Sequence, residues 1–374
     1  MSRPDVLIVG AGMVGAWTAL VLAEQGLRVR VLERQFAGAG STGAAMGHLV
    51  VMDDSPAQLA LCRHAMARWQ AIAPSLPASA EYDSAGTLWL AADDAEMAEA
   101  TRKAAVYREA GLAAEVLDAA GLRDAEPAVA PGLAGALRVP GDAICYPPTI
   151  AKLLLERAVA RGAEVIADDV IRAEGGAVHT ANGTRHEAAH VVIAAGPHSS
   201  ALVPGLPLVP RRGHLAITER APRIVRHQLV ELGYLHSAHT LGGASVAFNV
   251  QPRTTGQLLV GSSRELVGFD PGPNRALLGM MLERAIARVP LLARLRVLRT
   301  WTGFRPATPD ALPLIGAWGD DARLLVATGH EGLGITLAPA TADLIAAQVT
   351  GRAAPVDPTP FAPTRAMPAV EAHS

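Results

Sequence analysis

The sequence predicts an α/β fold in which a parallel-sheet nucleotide-binding unit, assembled from separated segments, is interleaved with a second, β-rich domain. Three observations predict it. The chain opens with a strand, a Gly-rich turn, a helix and a second strand ending in an acid. Buried-type apolar strands ending in glycine recur in the middle and near the end, as Val191-Val-Ile-Ala-Ala-Gly196 and Leu324-Leu-Val-Ala-Thr-Gly329. Between them, from about 211 to 300, the chain reads as short strands followed by a helix.

The N-terminal unit is the most informative. Val6 to Val9 is a continuous apolar run suited to a central parallel strand. In the turn that follows, Gly10 permits a tight bend, Gly12 lets the backbone approach a pyrophosphate, and Gly15 lets the helix pack on the sheet. That helix would bury Ala16, Ala19, Leu20 and Ala23, spaced at i, i+3, i+4 and i+7, and stop at Gly26. Its free N–H groups and dipole would face phosphates. The second strand, Val29-Arg-Val-Leu-Glu33, ends in a carboxylate placed to accept both hydroxyls of an adenosine ribose and to disfavour a 2′-phosphate. Gly38-Ala-Gly40-Ser-Thr-Gly43 matches the same glycine spacing, but no apolar strand leads directly into it and no strand ending in an acid follows, so it is not read as a nucleotide motif. The unit by itself fits FAD and NAD equally.

At 374 residues the chain can form two or three domains with large cores. Lys plus Arg is 33 and Asp plus Glu 35, which leaves no basic field for nucleic acid and points to a small-molecule partner. Cys62 and Cys145 are too few and isolated for a disulfide framework, zinc site or iron–sulfur cluster, and no metal is expected. The first strand starts at about Asp5, leaving no room for a cleavable signal, and no run approaches the roughly 18 apolar residues of a membrane span. The expected location is cytoplasmic.

Residues 57–73 carry a helical pattern (Leu59, Leu61, Cys62, Ala65, Met66, Trp69, Ile72) ended by Pro74; 84–92 reads as a strand and 93–125 as two charged helices. Pro147-Pro148-Thr149 starts a helix with Ile150, Leu153, Leu154 and Ala158 inward and Gly162 at its end. Glu164 to Ala167 returns as a strand, and Asn182-Gly183 marks a hairpin turn. Further strands are expected at 213–218, 244–252 and 257–263, then helices at about 274–288 and 337–349 separated by the strand at 324–329 and a Gly-rich turn at 331–334. The tail from about Ala353 is Pro-rich and reads as an extended surface strap.

The chain resembles the D-amino acid oxidase family of flavoproteins, the group containing glycine oxidase, monomeric sarcosine oxidase and D-amino acid dehydrogenases. The resemblance covers nearly the whole length and rests on 6–34, STGAAMGHL at 41–49, SAGTLWLA at 84–91, HVVIAAGPHS at 190–199, WTGFRPATPDALPLIG at 301–316 and LLVATGHEGLGITLAPATADLI at 324–345, the last two being the most specific. It implies a Rossmann-like FAD-binding domain (1–80, 145–210 and 301–374) with an interleaved α+β substrate domain built on a β-sheet (81–144 and 211–300). It also implies oxidation of an amine α to a carboxylate, by hydride transfer from Cα to flavin N5. That step needs no metal, and its main demand is alignment, where well-oriented pairs gain about 7–11 kcal/mol over encounter in solution.

Arg305 is the expected carboxylate clamp, since guanidinium matches a carboxylate bidentately and stays charged in a partly dry pocket. The alternative for Arg305 is a structural ion pair with Asp310. Ser41, Thr42, Ala44 and Ala45, with Met46 and Gly47, fall where the family's small-residue loop runs beneath the isoalloxazine, and His48 lies just beyond, where some relatives contact substrate or flavin. The resemblance places Met13, Val14, Arg34, Val170, Ala195 and Gly196 against the cofactor as well. Gly329, Gly332, Leu333, Gly334, Ile335 and Thr336 would bring a helix N-terminus to the negative charge of reduced flavin.

Departures from the family bear on substrate. Glycine oxidase resembles this chain at Gly329-His330 but carries an arginine two positions on, whereas here the run is Glu331-Gly332-Leu333-Gly334. Where relatives often offer a tyrosine hydroxyl, this chain has Val246-Ala-Phe248-Asn249, so Asn249, Tyr234 or His236 would take its place. No cysteine lies near Arg305 or Gly329 and no histidine precedes the small-residue loop at the attachment position, so FAD is expected to be bound non-covalently. The run GHLVVMDDSPAQLAL at 47–61 is most similar to bacterial D-hydroxyproline dehydrogenases. The expected function is FAD-dependent oxidation of a small amino or imino acid, with D-hydroxyproline or a related D-amino acid foremost. The alternatives are an FAD-carrying assembly subunit of a multi-subunit dehydrogenase, a glycine- or sarcosine-type oxidase, and an NAD-dependent dehydrogenase. The sequence carries no motif that selects oxygen, a quinone or a partner subunit as electron acceptor.

Overall fold

The computed structural model describes residues 3–221, 224–233 and 244–368. Val6–Val9 forms the centre of a six-stranded sheet ordered Leu314–Trp318, Asp321–Thr328, His190–Ile193, Val6–Val9, Val29–Glu33, Glu164–Ala167. All neighbours run parallel except the first pair, which is antiparallel. Apolar character on both faces of the central strand follows from its position, since helices cover the sheet. The helix Met13–Glu24 is buried nearly all round because it packs against the sheet, Pro147–Val159 and Gly334–Thr350 together. At its start, a Cβ on Gly15 would collide with the carbonyl oxygen of Gly10, so the close approach of helix and turn requires glycine there.

The second layer is an eight-stranded sheet ordered Val297–Ala307, Val209–Thr218, Leu258–Arg264, Ser245–Pro252, Gln228–Glu231, Thr87–Ala91, Gly135–Val139, Glu115–Asp118. It is antiparallel except where Gln228–Glu231 meets Thr87–Ala91. Its core, with Phe248, Val250, Val260 and Leu88, is closed by the helix Arg275–Arg288. That helix is capped by Asn274, whose side chain accepts from the amides of Ala276 and Leu277. The strand Val297–Ala307 runs through position 301 without a break.

One expected segment is corrected. Residues 93–125 hold the two expected helices, Asp94–Glu109 and the short Ala119–Ala125, but a strand that was not expected, Glu115–Asp118, lies between them. This edge strand has four residues and owes its conformation to pairing with Gly135–Val139, which local sequence cannot reveal. The tail is anchored rather than merely laid on the surface. Phe361 is buried, and Arg365 forms a two-pronged pair with Asp310 while donating to the carbonyls of Leu312 and Pro313.

His48 lies on the short strand His48–Leu49, which pairs with Ala143–Ile144. The segment after it is pinned from below. Asp142 accepts the amide of Val51, and Asp53 pairs with the buried Lys103 and accepts from Tyr107. Among the described residues, no helix is long and apolar enough to cross a membrane.

Candidate active site

The carboxyl ends of Val6–Val9 and His190–Ile193 meet where the strand order reverses, the place where open α/β sheets leave a crevice. A cavity of about 630 Å³ starts there and continues to the face of the eight-stranded sheet. Its nucleotide end is lined by Gly10, Gly12, Met13, Val14, Glu33 and Arg34. Val170, Ala195 and Gly196 line the cavity as well, with Ala195 packed beside Gly10 of the turn. Glu33 holds the turn itself: one carboxylate oxygen accepts from Ala11 N at 2.8 Å and the other from Gln35 N at 2.9 Å.

The middle of the cavity is lined by Ser41, Thr42, Ala44, Ala45, Met46 and Gly47. Both hydroxyls are engaged with protein. Thr42 Oγ1 accepts from Met13 N at 2.9 Å, and Ser41 Oγ donates to the carbonyl of Phe304 at 2.5 Å. The Thr42 bond ties the small-residue loop to the start of the helix Met13–Glu24, while the Ser41 bond and Trp301 Nε1 donating to the carbonyl of Ala44 tie it to the strand Val297–Ala307. Gly303 makes the contact possible, because a Cβ there would lie 2.5 Å from that of Ala44.

At the far end stand Arg305, His48, Asn249, Ser262 and Glu331, with Gly332, Gly334 and Ile335 from the turn and helix start. Four of the expected cofactor residues stand behind the wall. Gly15 packs helix to turn, and Gly329 packs on Thr308 and Leu314. Thr336 donates to the carbonyl of His48 and accepts from Val50 N, while Leu333 joins the main core. Tyr234 and His236 lie outside the described residues.

Arg305 and Arg211 are directly opposite each other in the β ladder and so share a face of the sheet. The Arg305 side chain crosses Gly213: a Cβ at 213 would lie 2.8 Å from its Cζ. Its Nη1 donates to the carbonyl of Ser263 at 3.0 Å. Asp310, the alternative partner for Arg305, is held by Arg365 instead.

Glu331 adopts φ +47° and pairs with Arg264 at 2.9 Å and Arg211 at 3.6 Å. Burial works to raise its carboxyl, but Arg264, Arg305 and Arg211 outweigh that and hold it down at about 2. Burial, reinforced by the charge of Arg305, pushes His48 down to about 3. Burial alone takes His330 to about 4. His48 Nε2 and Asn249 Oδ1 are buried without a hydrogen-bond partner, while Asn249 Nδ2 lies 3.4 Å from Ser262 Oγ.

Sequence reasoning missed Gly213, Arg211, Arg264 and Ser262. Gly213 did carry a signal, since glycine inside a strand marks a close approach. The arginines carried none, because their meeting depends on strand register.

These features define a class: an α/β nucleotide-binding layer joined to an antiparallel sheet, with a cavity running from a dinucleotide turn to a fixed cation. The chain belongs to the FAD dependent oxidoreductase (DAO) family, whose profile matches residues 5–348. It is 29% identical to glycine oxidase of Geobacillus kaustophilus over 97% of either chain. The crystal structure of glycine oxidase from that organism superposes with a TM-score of 0.87 at 27% identity, covering 98% of this chain and all of the other. L-Proline dehydrogenase from P. horikoshii shares the fold, with a TM-score of 0.87 at 21% identity over 97% of either chain. The protein is thus an FAD-dependent oxidoreductase acting on the CH–NH group of amino or imino acids.

The residues present fit FAD. The Gly10–Gly12 turn and Glu33 suit the adenosine diphosphate part, and the small side chains of 41–47 leave room for the ring.

The charges at the far end also set a pH expectation. His48 and His330 become cationic only below about 4, so both are neutral throughout the working range, and Glu331 stays ionised. None of these groups titrates near neutrality. The kcat/KM profile should therefore rise with pH along one limb set by the amine of the free substrate, at the same position in His48→Gln. A second limb near neutrality that vanishes in that variant would contradict this assignment.

Proposed function

We propose that this chain oxidises a small cyclic secondary amine bearing one carboxylate, with D-hydroxyproline as the foremost candidate substrate. The observation that carries the reading is the Arg305 guanidinium lying over Gly213 at the sheet end of the cavity. A guanidinium so placed takes a carboxylate in a two-pronged grip, which fixes Cα and its hydrogen relative to the ring site bordered by residues 41–47. Bound FAD supplies the hydride acceptor. The substrate enters as the neutral amine, in keeping with a neutral His48 beside Arg305.

Asn249 supports a hydroxylated ring. Its buried Oδ1 is without a partner and Ser262 Oγ is adjacent, so a ring hydroxyl can donate to the amide oxygen. Leu215, Met46 and Ile335 supply the apolar remainder of a small pocket. The similarity to glycine oxidase supports a compact substrate.

The test is anaerobic mixing of the FAD-loaded protein with D-hydroxyproline, D-proline, L-proline, glycine and sarcosine, following flavin absorbance. D-Hydroxyproline should bleach it fastest and D-proline next. Bleaching by glycine or sarcosine alone, or by none of the five, would overturn the substrate assignment.

A further inference from the structure

The two faces of the eight-stranded sheet differ in chemistry. On one, Leu88, Leu229, Phe248 and Val250 pack into the core closed by the helix Arg275–Arg288. The alternating positions on the other face carry Thr87, Gln228, Gln251 and Asn249, each no more than 5% exposed. Register makes these four neighbours: Gln228 pairs with Thr87 on one side, and the pairing of Leu229 with Val250 sets it beside Gln251 on the other, two residues from Asn249. Asp142 stands at the Thr87 end, buried, its backbone carbonyl accepting from Gly86 N.

Much of this row has nothing in the protein to bond. Among the described residues, Thr87 Oγ1, Nε2 and Oε1 of Gln228, Gln251 Oε1, Asn249 Oδ1 and Asp142 Oδ2 are all buried without a hydrogen-bond partner. The row is nonetheless tied to the segment around His48, because Gln251 Nε2 donates to the carbonyl of Met46 at 2.9 Å and Asp142 Oδ1 accepts from Val51 N at 3.1 Å. An unbonded buried polar group carries the full cost of its desolvation, so a run of such atoms on neighbouring residues does not belong in a dry interior. Side chains at facing positions of adjacent strands start about 5 Å apart, a gap that one water spans with a bond to either side.

We propose that this row is a binding site for a file of ordered water molecules that runs from Asn249, which lines the cavity, to Asp142. Both kinds of partner are present: Gln228 Nε2 donates, the carbonyl and carboxyl oxygens accept, and the Thr87 hydroxyl does either. Each water therefore finds the two or more polar partners that internal water needs. Burial pushes the Asp142 carboxyl up to about 7, against the opposing pull of the Thr87 hydroxyl and the Val51 amide. Water on Oδ2 gives that carboxyl a partner in either protonation state. The file joins the cavity wall, through Asp142 and Val51, to the segment that follows His48, whichever amino acid is oxidised.

The experiment combines a crystal structure of the FAD-loaded protein, at a resolution that shows ordered water, with the melting temperatures of Gln228→Met and Thr87→Val. The density should show connected waters within hydrogen-bond distance of Thr87, Gln228, Gln251 and Asn249. Both substitutions nearly conserve shape and remove only polar atoms, and neither residue lines the cavity. In a hydrated row each strands the waters it served and should lower the melting temperature by about 2–4 °C or more. In a dry row each removes an orphaned polar group and should raise it. Density without water along the row, or a melting temperature equal to or above wild type in both variants, overturns the proposal. Where the two variants disagree, or one does not fold, the density decides: a continuous file supports the proposal and its absence overturns it.

Discussion

Arg305→Ala is expected to keep FAD and lose substrate. The side chain donates from Nη1 to the carbonyl of Ser263 at the cavity end, and its strand is tied to the neighbouring elements by backbone pairing along its length and by Trp301 and the carbonyl of Phe304. The fold therefore survives the truncation, and the nucleotide end is untouched. Removing one partner of a buried, hydrogen-bonded charge pair costs about 2–5 kcal/mol, which corresponds to roughly 30-fold to a few thousand-fold in affinity. Steady-state kinetics should show this as a rise in KM, with a fall in kcat to the extent that the grip also aligns Cα. Arg305→Lys should recover only part of it, because an ammonium cannot match both carboxylate oxygens in one plane. A KM unchanged in Arg305→Ala, with flavin content and melting temperature equal to wild type, would reject the clamp.

Gly213→Ala is the second large effect, and it arises without touching any charged group. The backbone at 213 is not left-handed, so alanine is tolerated there, and in a strand it is favoured over glycine by roughly 0.5–1 kcal/mol. The new methyl group would occupy the space of the Arg305 guanidinium, 2.8 Å from Cζ, and the flexible arginine must move. The variant should bind FAD, melt no lower than wild type, and raise KM by at least tenfold, because a clamp displaced by about an ångström no longer presents its carboxylate in line. A larger residue, as in Gly213→Val, should be worse. Normal kinetics in Gly213→Ala would show that the guanidinium works from a different position than the one seen here.

The two variants mark what could be read from the sequence. The nucleotide unit was legible because each of its parts is local: apolar Val6 to Val9, the glycines at 10, 12 and 15, and Glu33 act within one strand–turn–helix–strand. The helices Pro56–Ile72, Pro147–Val159 and Gly334–Thr350 were legible for the same reason, through periodicity and punctuation. Arg305 was legible by resemblance. Gly213 was not, because its purpose is to leave room for a side chain from a strand that lies some ninety positions away. The strand Glu115–Asp118 was hidden likewise, since its conformation belongs to its partner.

By itself, then, the sequence determined the nucleotide-binding layer, the class of chemistry and the cation at 305. Local spacing dictates turns and helix faces, and an arginine keeps its charge in any fold. Only the tertiary structure decided which groups surround that cation. Strand register sets Arg211 opposite Arg305, the path of Leu258–Arg264 brings in Arg264, and a left-handed turn delivers Glu331 among them. Charges interact through space over a few ångströms, and in a chain of this length such distances are fixed by how sheets and turns pack rather than by position along the backbone.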